Sequence, residues 1–130
     1  MKTKFPISIR ALIVCGALWS STLWAAPMWY KHSMTSEVLR CKIVAYHREQ
    51  EDMGQKFHRL AQISAGNGIF GERNQFNRDP QIQREFQALD YKITLETKDI
   101  IGTFFSGSRA DMVWDNNQCS KYQSMALKHL

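Results

Sequence analysis

Cys41 and Cys119 place the tightest limit on what this chain can fold into, because the segment ahead of them decides whether they pair. Lys2, Lys4 and Arg10 form a positive n-region, residues 11–19 (ALIVCGALW) a short apolar run, and Leu23-Trp24-Ala25 an acceptable cleavage site before Ala26-Pro27. This is the pattern of a secretory signal peptide over residues 1–25. A membrane anchor needs about 20 apolar residues, and Arg10, Ser20, Ser21 and Thr22 interrupt any such run. Cleavage would remove Cys15 and deliver the other two cysteines to an oxidising compartment, where thiols pair. Closing a loop of about 78 residues constrains the unfolded chain by about 4–5 kcal/mol on the loop-entropy model. The expectation is a structural Cys41–Cys119 disulfide. Neither cysteine sits in a C-x-x-C of the redox-active or metal-binding kind.

The remaining residues 26–130 suffice for one small domain, which buries about two thirds of its unfolded surface and gains from a staple. Three of the seventeen basic residues and none of the twelve acidic ones lie in the leader, so processing lowers the net charge from +5 to +2. Positive and negative side chains are interspersed rather than clustered on a basic face, which argues against a nucleic-acid partner. Export implies a periplasmic or secreted location, with no stable membrane insertion once the leader is gone.

The hydrophobic spacing predicts an all-α domain, a three-helix bundle closed by the disulfide. The first helix starts at Thr35 or Ser36 and carries Leu39, Ile43, Tyr46, Met53, Phe57 and Leu60 at alternating three- and four-residue steps, with Gln50 and Ser64 in the same seam. That is one amphipathic helix of about 30 residues ending before Gly66. Gly54 costs it about 1 kcal/mol, a cost that close approach by a second helix would offset. A loop follows over residues 65–79. Asp79-Pro80 reads as N-cap and N1 of a second helix through Ile82, Phe86, Leu89, Ile93, Ile100 and Phe104. Residues 91–98 (YKITLETK) also alternate with period two, so the competing fold is α+β with a short strand or hairpin at about 91–105. Ser108 and Asp111 form a weak capping box for a third helix with Met112, Cys119, Tyr122 and Ala126 on one face. The Asp115-Asn116-Asn117 run is a place for that helix to break.

Gly66, Gly68 and Gly71 match G-x-G-x-x-G, but the dinucleotide fingerprint works between a strand and a helix. Here the glycines follow a helix and punctuate a loop. In that loop Phe70 and Phe76 alternate with Arg73 and Arg78, the residue types enriched where proteins bind each other. These four are the candidate partner-binding residues; the competing role for the phenylalanines is to pin the loop down. Met28, Trp29, His32 and Met34 crowd the processed N-terminus, and thioether with imidazole selects Cu(I), so Met28, His32 and Met34 are alternative metal ligands. His47 and His58 lie about 16 Å apart along one helix and cannot share an ion.

No H-E-x-x-H, nucleophile elbow or free catalytic cysteine appears, and no cofactor is implied. The sequence therefore points away from an enzyme. It points toward an exported protein–protein binding module, an inhibitor or immunity-type protein or an accessory of an envelope assembly, whose partner is another envelope or periplasmic protein. In size and composition alone it resembles small periplasmic immunity proteins, which assigns no residue. The alternative is a periplasmic Cu(I)-handling protein.

Overall fold

The structure is a computed structural model and describes residues 33–102 and 106–130. The leader, Met28 and His32 lie outside the described residues. All regular structure among the described residues is helical: α1 (Met34–His47), α2 (Glu51–Gly66), a 3₁₀ turn (Gln75–Asn77), α3 (Pro80–Ile101), α4 (Ser106–Asn116) and α5 (Cys119–His129). No described helix is long and apolar enough to cross a membrane.

The three expected helices become five because two of them break. The first folds back on itself. Arg48 caps α1, the Glu49 N–H donates to Tyr46 O and the Gln50 N–H donates to Ala45 O, the paired bonds of a Schellman ending. This places Glu49 in the left-handed region at φ 61°. A non-glycine residue there costs about 1–2 kcal/mol. The hairpin it allows encloses Val38, Leu39, Phe57 and Leu60 completely, and each such burial contributes about 1.5–3 kcal/mol. Packing therefore outweighs the strained turn. The helices run antiparallel: Thr35 Oγ1 lies 2.8 Å from Ser64 Oγ, and the Tyr46 ring covers Gly54, where a Cβ would come within 2.7–2.9 Å of ring atoms. Gly54 does mark a close approach, made by the preceding helix of the same hairpin.

Helix α3 starts as its sequence dictates, with the Asp79 carboxylate accepting from the Gln81 N–H at 2.9 Å and Pro80 in the first turn. Residues 91–101 are helical, so the strand alternative does not hold there; 103–105 lie outside the described residues. The buried seam is Phe86, Leu89, Ile93, Thr97 and Ile101, leaving Ile100 42 % exposed. The third expected helix breaks at Gln118, left-handed at φ 55°, next to the Asp115-Asn116-Asn117 run. Its start also moves: α4 begins at Ser106, ahead of the expected Ser108 box. The register shift buries Val113 and turns Met112 outward.

Cys119, the first residue of α5, is bonded to Cys41 in the middle of α1, with Cα atoms 5.5 Å apart. Helix α1 is enclosed on nearly every side by the other four helices. One apolar cluster joins α1, α2, α3 and α5 around Leu39, Phe57, Phe86 and Tyr122, and a second joins α1, α3 and α4 around Val44, Ile101 and Val113. Trp114 packs on both and meets Phe57 edge-on at 5.9 Å. A polar knot crosses this core: the buried Lys42 donates to Asp90 Oδ1 at 2.5 Å and lies 3.2 Å from His58 Nδ1, tying α1 to α3 and α2.

Candidate functional site

The loop of residues 67–79 leaves the C-terminus of α2. The Asn67 and Gly68 N–H groups both donate to Ile63 O, at 3.3 and 2.9 Å. Gly68 and Gly71 take φ values of 76° and 97°, which favour glycine because any Cβ is strained there. The glycine triplet is thus turn punctuation at a helix C-terminus, the wrong helix end to hold a phosphate.

Asn74 is the loop's internal anchor and is fully buried. Its amide donates to Ile63 O at 2.8 Å, Ile69 O at 2.9 Å and Asn67 Oδ1 at 3.3 Å, and its Oδ1 accepts from the Phe76 N–H at 2.8 Å. Gly66 makes room for it, since a Cβ there would run into the Asn74 amide. Gln83 donates to Phe76 O at 2.7 Å and so ties the 3₁₀ turn to α3.

On this frame the four candidate residues separate. Phe76 is half-buried and packs edge-on against Phe86 at 5.2 Å, against the main core. Its ring supports the loop from below. Phe70 is 39 % exposed and stacks on His129 at the end of α5, with ring centroids 4.8 Å apart. Its neighbour Ile69 is 47 % exposed. Arg73 and Arg78 both face solvent, with an Arg78 guanidinium N–H donating to Arg73 O at 3.4 Å. The outer surface therefore carries an apolar pair, Ile69-Phe70, beside two arginines. The sequence reading missed Ile69, His129 and Asn74. Asn74 has a trace in the sequence, an asparagine eight residues after a helix-ending glycine, but nothing there tells a buried amide from an ordinary loop polar.

Of the alternative metal ligands only Met34 is described, and it packs partly buried against the main core. Among the described residues no group of three or more His, Cys, Asp or Glu side chains could hold a metal ion. No family model matches the chain, and no curated protein or solved structure matches it.

Proposed function

We propose that this protein is an exported binding module that recognises another envelope or periplasmic protein through the loop between α2 and α3, with Ile69, Phe70, Arg73 and Arg78 as contacts. The observation that carries this reading is the pairing of an exposed apolar tip with a fully buried anchor: Ile69 and Phe70 project from a loop whose backbone is fastened by Asn74. A loop already ordered before it meets a partner loses little conformational freedom on binding. Aromatic and arginine side chains are the ones that dominate binding energy at such surfaces. The matching partner presents an apolar recess edged with carboxylates. Both versions of the role, inhibitor or assembly accessory, need only this recognition step.

The test is affinity capture from an envelope extract with the processed protein and with Phe70→Ala/Arg73→Ala, alongside thermal melts of both. Both side chains are solvent-facing, so the variant should melt within about 1 kcal/mol of the parent and lose a protein that the parent retains. Identical capture by two equally stable proteins would remove the loop from the function.

A further inference from the structure

A cleft of about 670 Å³ opens between the C-terminal turns of α1 and α3, lined by Lys42, Ile43, Tyr46, Thr94, Lys98 and Ile101 among others. Its size falls in the range of small-molecule sites. It lies at the turn end of the α1–α2 hairpin, whereas the partner loop leaves the other end of α2.

The chemistry of the lining is divided. Ile43, Ile101 and the Tyr46 ring offer an apolar wall, while Lys42 and Lys98 offer ammonium groups, and no carboxylate is among the lining residues. Lys42 has three N–H donors. Asp90 Oδ1 takes one at 2.5 Å and His58 Nδ1 lies 3.2 Å away to take a second. The third has no partner among the described residues. Thr94 Oγ1 donates to the same Asp90 Oδ1 at 3.3 Å, so both lining side chains are tied to one carboxylate that is not itself among the lining residues. Partial burial and the nearby Glu51 and Asp90 charges raise the Tyr46 hydroxyl further above its ordinary value, so it stays a donor.

Charge selects the ligand further. Asp90 already neutralises Lys42, so Lys98 is the one full charge in the lining without an ion-pair partner among the described residues. His47, also in the lining, adds charge only when protonated. Both helices turn their carbonyl ends toward this region, which opposes any anion and a multiply charged one most, so the two lysines must outweigh it. We propose that the cleft binds a small amphiphilic monocarboxylate, its carboxylate held by Lys98 and the spare Lys42 donor and its apolar chain laid along Ile43, Tyr46 and Ile101. This site is independent of the partner loop.

Octanoate titrated into ¹⁵N-labelled processed protein tests it. Amide shifts should saturate at one site and concentrate at residues 42–47 and 94–102. Octan-1-ol, with the same chain and no charge, should bind at least tenfold more weakly. Lys98→Gln, an exposed change that leaves the fold intact, should weaken octanoate several-fold. Thr94→Phe, which fills the cleft, should abolish the shifts. Shifts centred on residues 67–79, equal binding of octanol, displacement by inorganic phosphate, no saturation at millimolar octanoate, or an unchanged affinity in Lys98→Gln would each overturn the assignment. If Thr94→Phe proves unfolded, the octanol and Lys98→Gln comparisons decide alone.

Discussion

The two ends of the α1–α2 hairpin each bury a polar side chain, and they do so in opposite ways. At the loop end Asn74 is neutral, bonds mainly to backbone groups and uses its amide fully. At the cleft end Lys42 is charged and, among the described residues, bonds only to side chains and leaves one donor unused. A buried amide with a complete set of partners locks a conformation. A buried ammonium with an incomplete set leaves a place where a ligand or water can complete it. The first arrangement suits a preformed surface, the second a receptive one.

Four measurements rank the ends against each other. The largest effect belongs to neither: Cys41→Ala/Cys119→Ala should lower unfolding free energy in urea by about 4–5 kcal/mol if the loop-entropy account holds, destabilising both ends together. Next, Asn74→Ala should cost about 2–4 kcal/mol, because it takes the Asn74 partner from the Ile69 carbonyl and the Phe76 N–H and empties a fully buried site beside Gly66. Lys42→Met should cost less, about 1–2 kcal/mol. The Asp90 left behind keeps Thr94 as a donor, and its side chain is 24 % exposed, so water can reach it. A larger loss in Lys42→Met than in Asn74→Ala would reverse the ranking of the two ends.

The smallest effect is a pH slope. Burial, reinforced by Lys42, holds the His58 imidazole below its ordinary value, although Asp90 pulls it upward. The unfolded chain therefore takes up this proton first as pH falls. The stability the neutral ring contributes is complete above about pH 6.5 and drains away as pH drops from there through the folded value. Melts of His58→Gln between pH 7.5 and 5 should show a shallower decline than the parent. Parallel declines would mean that other groups set the slope.

Helix capping and cysteine pairing could be read ahead of the fold, because each depends on residue types with one favoured use. Asp79-Pro80 starts a helix, Gly66 ends one, and Cys41 and Cys119 join. The turn at Arg48-Glu49-Gln50 escaped because a glutamate occupies the left-handed position that glycine advertises, and because the apolar spacing runs unbroken through it. Ile100 and Ile101 are indistinguishable by hydrophobicity; only packing selects Ile101. At the candidate site composition pointed to the phenylalanine–arginine loop, but a phenylalanine that anchors and one that projects have the same letter. The direction of Phe76 is set by Phe86, a contact ten residues away that no local pattern encodes.

Asn74 also changes what the loop should look like to deuterium. A connecting segment rich in glycine, asparagine and arginine is ordinarily among the first to exchange its amide protons. Here the Phe76 amide proton is held by a side chain with no exposed surface, and it can reach solvent only when the seal between Gly66 and Asn74 opens. Its exchange should therefore follow the opening of the neighbouring core rather than the fraying of a surface segment. The Gly71 amide, for which no carbonyl or side-chain acceptor appears among the described residues, should exchange within the same loop orders of magnitude sooner.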